Sequence, residues 1–230
     1  MGCLLKANGL YSRTTIGAVL LAAGAGSRLG HRPKALLELG GVPLIVRLLV
    51  ALSGAGIDEL VVVLGHHADA IEAAVAPFPI TIVRNAAPDQ GQHTSVRLGL
   101  QALSPRLDAV IVALADQPSI GEADIVALIG AFKKRGDASM VVPRVTLDGA
   151  AQPGNPVIFD GALRDEWLAG ESDAACRQWR AAHPERVRWF DTENRRYALD
   201  IDTPDDLARF AAATGHTLQW PPAFAQEANR

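Results

Sequence analysis

The apolar run 19–23 opens directly into Gly24, Gly26 and Gly30, with cations at Arg28 and Lys34. Glycine lets backbone come close to a bound group and turn successive N–H groups towards it. Two nearby side-chain cations would meet the charge that remains on a polyphosphate. The same residues would serve a buried strand that simply turns through glycines, but the rest of the chain favours a phosphate loop. Asp116 ends the strongly apolar run 109–115, where a carboxylate is costly to desolvate unless something offsets it. A divalent cation would do so, because Mg²⁺ takes one or two carboxylates together with substrate phosphates. Capping of the following turn is the plainer use for this acid. Further on, Asp200 and Asp202 alternate with Leu199 and Ile201, which puts both acids on one face of an extended segment.

Neither familiar glycine pattern fits. The dinucleotide fingerprint needs Gly-x-Gly-x-x-Gly and an acid about 20 residues on, closing the second strand. Here Leu29 holds the third glycine position, and the next apolar run, 60–64, ends in Gly65-His66-His67. The P-loop is excluded as well, since no Gly-Lys-Ser/Thr follows at the required spacing.

The elements that must position these residues alternate in type. Segment 36–39 is a short extended piece. Leu44, Ile45, Leu48, Leu49 and Leu52 then recur at helical spacing, with Pro43 suited to the first helical position. Runs 60–64 and 80–83 read as strands around a short helix at 70–75. Val96, Leu100 and Leu103 form the buried face of another helix, leaving Gln92, His93 and Ser95 at its open start. Free N–H groups and the positive dipole end gather there, although Thr94 or Ser95 could be an ordinary cap. His93 reads as a solvated loop residue. Ser119 and Glu122 read as a capping box before Ile125, Leu128, Ile129 and Phe132. Strands follow at 139–145 and after Pro156, and Thr203, Pro204 and Asp206 start a last helix. The expectation is an α/β fold: a doubly wound, mostly parallel sheet with helices on both faces and ligands beyond the carboxyl ends of the strands. Residues 16–215 form the expected domain, with 1–15 a flexible arm and 216–230 a tail.

The glycine stretch resembles the signature of the MobA-like nucleotidyltransferases, Leu-Ala-Ala-Gly-x-x-x-Arg-x-Gly followed closely by Lys. That likeness covers roughly residues 16–212 and implies a Rossmann-like nucleotidyltransferase fold. It implies nucleotide binding by Leu21, Ala22, Ala23, Gly24, Gly26, Arg28 and Lys34, with Gly91, Gln92 and Ser95 against the base. Leu-Ala-Asp-Gln-Pro at 114–118 resembles the family's metal-binding strand end, and Asp-Ile-Asp-Thr-Pro its closing motif, so Asp116 and Asp200 are the expected Mg²⁺ ligands. Arg28, Lys34 and Asp116 are the expected catalytic residues. Gly154-Asn155-Pro156-Val157 resembles the acceptor-pocket motif, although a turn entering a strand explains it equally well. Arg177 is a further acceptor candidate, in a stretch where Glu171, Ala174, Ala175 and Cys176 depart from the family pattern. Leu-Ala-Ala-Gly, rather than Leu-Ala-Gly-Gly, is closer to the cytidylyltransferase branch (MocA-like). That implies CTP, a molybdopterin-type acceptor and a xanthine-dehydrogenase-type molybdoenzyme as partner. The same scaffold is similar to enzymes acting on isoprenoid or sugar phosphates, and to an NAD(P)H-dependent nicotine blue oxidoreductase. A nucleotide-binding carrier without turnover is the non-enzymatic reading.

Composition narrows the remaining classes. With 230 residues, 49% hydrophobic and 20% charged, the chain can bury a sizeable core. A net charge of −3 gives no basic field for nucleic acid. Two cysteines, Cys3 and Cys176, are too few and too far apart for a disulfide framework or zinc site. No apolar run is long enough for a membrane span, and a cytoplasmic location is expected. No Gly-x-Ser-x-Gly or paired Cys/His signature offers a nucleophile, and Cys176 reads as a small buried residue.

Overall fold

The computed structural model describes residues 13–147, 149–170 and 176–225. In chain order its strands are β1 (Ile16–Ala22), β2 (Glu38–Leu39), β3 (Val42–Pro43), β4 (Glu59–Leu64), β5 (Thr81–Arg84), β6 (Ala109–Leu114), β7 (Met140–Leu147), β8 (Ala150–Pro153), β9 (Val157–Asp160), β10 (Val187–Thr192) and β11 (Leu218–Gln219). The α-helices are α1 (Leu44–Gly54), α2 (Ala68–Val75), α3 (Gln92–Ala102), α4 (Glu122–Lys133), α5 (Gly161–Ala169), α6 (Cys176–Ala182), α7 (Pro204–Thr214) and α8 (Pro222–Ala225).

β1 is buried along its whole length because both its faces are covered. Alternate residues point to opposite sides. Ala18 and Leu20 meet α1, α2 and α4, whereas Val19 and Leu21 meet α3, α5 and α6. The main sheet runs β10-β7-β9-β6-β1-β4-β5, with β8 paired to β7. β1 lies parallel to β4 and to β6, and β4 to β5. The sheet is mixed rather than wholly parallel, because β9 runs antiparallel between β6 and β7. From β1 the chain winds outward through β4 and β5, then returns to place β6 on the other side of β1. That reversal opens a crevice at the carboxyl edge, where doubly wound sheets bind ligands.

Local departures from expectation have identifiable causes. Pro43 belongs to β3 and caps α1 rather than entering it. The α4 cap is Gly121, not Ser119: Asp124 Oδ2 accepts the Gly121 N–H at 2.9 Å. Glu122 instead packs its carboxylate against Gly54 on α1. His93 lies within α3 and is half-buried, not in a solvated loop. Residues 199–202 are not a strand; the Ile201 N–H donates to the Asp116 carbonyl at 3.0 Å, and the Leu199 N–H to the Arg196 carbonyl at 3.4 Å. Beyond residue 215, β11 pairs antiparallel with β2, and Leu218 is buried with Leu29, Leu37, Leu44, Ile201 and Phe210. Of the expected N-terminal arm, residues 1–12 lie outside the described residues. Arg13 bonds the Gly56 carbonyl, and Thr15 N–H bonds Asp108 at 2.7 Å.

Gly99 sets how closely α3 approaches the sheet. A Cβ there would stand 2.3 Å from Val19 Cγ1 and 3.0 Å from Val63 Cγ2, both on stiff β-branched side chains within strands. Gly99→Val should therefore destabilise the fold by about 2–3 kcal/mol through overpacking, read as a lower urea midpoint. An unchanged midpoint would show that α3 is not held at this distance.

Candidate active site

A cleft of about 310 Å³ opens at the carboxyl edge beside β1 and β6, within the size range of small-molecule sites. Leu21, Ala22, Ala23 and Gly24 line it from the end of β1, and Gln92 and Ser95 from the first turn of α3. Asp116 enters after β6, and Lys34, Asp200 and Asp202 complete the polar wall. Pro33, Ala35, Ile71, Pro88, Leu114 and Ala115 make up the rest of the lining.

The glycine loop has two distinct requirements. At Gly24 nothing lies within 4 Å of where a Cβ would be, so its backbone faces open space. Gly26 is in the left-handed region at φ +62°, and a Cβ there would fall 2.1 Å from the Arg32 carbonyl oxygen. Only glycine can make that turn. The Gly26 carbonyl accepts the N–H groups of Leu29 at 2.8 Å and His31 at 3.0 Å, which curls the loop and swings Arg28 outward. From the neighbouring strand end, His66 N–H donates to the Ala23 carbonyl at 3.3 Å.

Lys34 bridges the acids. Its Nζ lies 2.6 Å from Asp116 Oδ2 and 2.5 Å from Asp202 Oδ1, and Arg28 Nη2 reaches Asp202 Oδ2 at 2.7 Å. The Lys34 and Asp116 side chains are only 15% and 17% exposed, so this pair is shielded from solvent in a way that surface pairs are not. Burial works against the Lys34 charge, but the Asp116 charge and the hydrogen bonds to both acids raise its pKa above the ordinary lysine value. Burial likewise opposes the Asp202 charge, and Lys34 and Arg28 overcome it, so its pKa falls below the usual carboxylate range. Asp200 has the opposite fate: burial, then the charges of Asp116 and Asp202, raise its pKa. Among the described residues Asp200 forms no ion pair. Asp116 Oδ1 is buried without a hydrogen-bond partner.

An orphaned carboxylate oxygen beside a second strained carboxylate fits a divalent cation. Among the described residues no group of three or more His, Cys, Asp or Glu could hold a metal alone. Hard divalent ions in phosphate-transferring sites need only one or two carboxylates, the remaining ligands being phosphates and water. Asp116 and Asp200 supply such a pair.

The cleft thus gathers Leu21, Ala22, Ala23, Gly24, Lys34, Gln92, Ser95, Asp116 and Asp200. Gly26 and Arg28 act from behind the lining, the first as the turn and the second through Asp202. Gly91 is the residue before α3 and does not line the cleft. The Ser95 hydroxyl accepts a hydrogen bond from Asn85 Nδ2 at 2.9 Å and is thereby fixed in direction. Asn155 and Pro156 stay outside the lining, yet the buried Gln117 amide donates to the Asn155 carbonyl at 3.1 Å, one residue from Asp116. Arg177 stands exposed on α6 and does not line the cleft; Glu171, Ala174 and Ala175 lie outside the described residues. Cys176 is half-buried, with its thiol pushed up to about 12 by burial, so it is protonated at neutral pH and no nucleophile. Asp202 is the site residue passed over in favour of Asp200. The strict alternation of the two acids was its signal.

Known proteins resemble this chain in sequence and in fold. A nicotine blue oxidoreductase of Paenarthrobacter nicotinovorans is 32% identical over 197 residues, 83% of this chain and 94% of that protein. A 2-C-methyl-D-erythritol 4-phosphate cytidylyltransferase of Streptomyces coelicolor is 35% identical over 153 residues, covering 60% of this chain and 56% of the enzyme. Among solved structures, Rv0371c of Mycobacterium tuberculosis superposes with a TM-score of 0.71 at 30% identity, over 87% of this chain and all of that one. A manganese complex of that same protein superposes with a TM-score of 0.67 at 27% identity, over the same shares of the two chains. The MobA-like NTP transferase domain matches residues 18–187. By that match, and with a glycine loop, a lysine and paired acids meeting in one cleft, the chain belongs to the MobA-like NTP transferase family, a family of nucleotidyltransferases.

Proposed function

We propose that this protein transfers CMP from CTP to the phosphate of a molybdopterin-type acceptor, releasing pyrophosphate. The observation that carries nucleotidyl transfer is the convergence of Asp116, with its unpartnered buried oxygen, Asp200 and Lys34 beside the glycine loop. CTP and the molybdopterin acceptor rest on the resemblance of the loop to the cytidylyltransferase branch. The likeness to a cytidylyltransferase of another acceptor favours the same base.

In this reading the base lies over the start of α3, against Gln92 and Ser95. The α3 N–H groups and dipole favour the negative charge that follows it. The triphosphate runs along the backbone of residues 21–26 towards Lys34 and Arg28. An acceptor phosphate oxygen attacks the α-phosphorus; the new P–O bond forms as the bond to the β-phosphate oxygen breaks, and pyrophosphate carries off that electron pair. Asp116 and Asp200 would hold a divalent cation, Mg²⁺ by preference, whose chemistry is neutralisation of phosphate charge. Lys34 stabilises the charge that develops on the transferred group, having been placed beforehand by two ion pairs. No side-chain nucleophile is required, as is usual where positioning and charge stabilisation dominate. A xanthine-dehydrogenase-type molybdoenzyme would then receive the product.

One observation favours a second reading: the oxidoreductase relative is matched over nearly its whole length. Hydride transfer from NAD(P)H to a quinone-like acceptor would use the same cup without the acids.

Three outcomes separate these readings. CTP with Mg²⁺ should raise the melting temperature more than ATP, GTP or UTP; equal shifts would remove the base assignment. Asp116→Asn should abolish pyrophosphate release while CTP still binds, and retained release would remove the acid from the reaction. Lys34→Ala should slow turnover by roughly 10²–10³, the loss seen when one preorganised donor is removed; oxidation of NAD(P)H without pyrophosphate release would instead establish the redox reading.

A further inference from the structure

Arg32 sits inside the glycine loop, two residues before Lys34, and by position would be a third cation for the triphosphate. Its side chain goes elsewhere. The guanidinium Nε donates to the Leu29 carbonyl at 2.8 Å, and the guanidinium carbon lies 4.1 Å above the centre of the Trp220 ring. Nη1 also reaches the Phe224 carbonyl at 3.4 Å. The Arg32 carbonyl oxygen is the atom that a Cβ on Gly26 would strike. One residue therefore defines the inner wall of the loop with its backbone and ties the loop to a distant segment with its side chain.

That segment also holds the chain on the other side of Lys34. After the single turn Lys34–Leu36, β2 is paired by β11, Glu38 opposite Gln219 and Leu39 opposite Leu218. Leu218 and Trp220 pack with Leu29, Leu37 and Ile201, and Ile201 lies between Asp200 and Asp202. Residues 218–225 thus grip the loop before Lys34, through Arg32, and after it, through β2.

We propose that residues 218–225 form a strap that positions the nucleotide loop, with Trp220 acting through Arg32 as its anchor. Trp220 touches no substrate; it is a positioning residue. A cation over an indole face holds direction as well as distance, which an aliphatic side chain of similar bulk does not. Arg32 is correspondingly withdrawn from phosphate binding. This inference rests on the reading of the 21–34 loop as the triphosphate cup.

The test uses the full chain and inorganic triphosphate with Mg²⁺ as a base-independent probe, alongside CTP, by calorimetry. Trp220→Leu, which keeps apolar bulk, should weaken binding of both by about 3–30-fold, the range of one cation–π contact. Trp220→Tyr, which restores an aromatic face, should recover most of the loss. In an Arg32→Met background, Trp220→Leu should add nothing, because the two act as one unit. Additive losses, or equal binding by Trp220→Leu and the wild-type chain, would overturn the strap. Should Trp220→Leu fail to fold, Arg32→Met alone carries the test: binding at the wild-type level would overturn it. If the wild-type chain binds neither probe, or Lys34→Ala leaves binding and turnover intact, the cup reading itself fails, and the strap with it.

Discussion

Three carboxylates, Asp116, Asp200 and Asp202, face one cleft, and Lys34 is what allows them to. Taking carboxylates out of water is costly, and like charges held together add to that cost. Lys34 bonds two of the three, and Arg28 reinforces the outer one. Asp200 is left to bear the imbalance, as its raised pKa records. The cluster is thus short of positive charge by its geometry: one ammonium and one exposed guanidinium serve three acids. A divalent cation with a triphosphate would complete it, since the ion relieves the acids while the phosphates compete for Lys34 and Arg28. The ion pairs that hold the acids together are the same ones that a polyphosphate would draw on.

Such a cluster persists only if the backbone leaves it no alternative. Ile201 N–H to the Asp116 carbonyl ties the two acidic segments together. Next to it, the Gln117 amide donates to both Asn155 and Tyr197 carbonyls. The Tyr197 hydroxyl in turn donates to the Asp124 carbonyl at 2.7 Å, and Asp124 Oδ1 accepts Asn194 Nδ2 at 2.7 Å. Residue 155 and the stretch 194–201 are therefore fixed to the chain that leaves β6 by polar bonds, two of them fully buried. Unmade, each of these would leave a donor or acceptor stranded. Downstream, the Thr203–Asp206 capping box, with Asp206 also accepting Asp202 N–H, orients the acids from their other side.

What could be read from sequence follows from which forces are local. Buried strands announce themselves as apolar runs, and the α3 face as Val96, Leu100 and Leu103, because burial repeats at the period of the element. The loop was legible because Gly24, Gly26, Arg28 and Lys34 act within a few residues of one another. The segment 199–202 is instructive: alternation suggested a strand, the structure has none, yet both acids still share one face. There the pattern reported the environment rather than the hydrogen bonding. At the start of α4, Ser119 and Gly121 both satisfy local rules, and the choice falls to Asp124, whose carboxylate is engaged by Asn194 and Arg196 from far along the chain. Arg32 and the 218–225 segment were missed for the same reason. A cation–π contact and a two-residue strand pairing leave no periodicity to detect.

The scaffold alone does not choose a reaction. A backbone cup with a helix start opposite suits any ligand with adjacent phosphates, whether a triphosphate or a dinucleotide, and proteins named for different chemistries are similar to this chain. The acids do discriminate. Hydride transfer asks for an apolar, well-shaped contact between two rings and gains nothing from three carboxylates whose desolvation must be offset. Phosphoryl-type transfer needs a place where a divalent cation and a fixed ammonium meet the reacting phosphorus. Asp116 keeps one buried oxygen without a partner while its other oxygen positions Lys34. A carboxylate so divided is an unfavourable feature in a fold with no use for a cation, and a serviceable one where a cation arrives with each substrate.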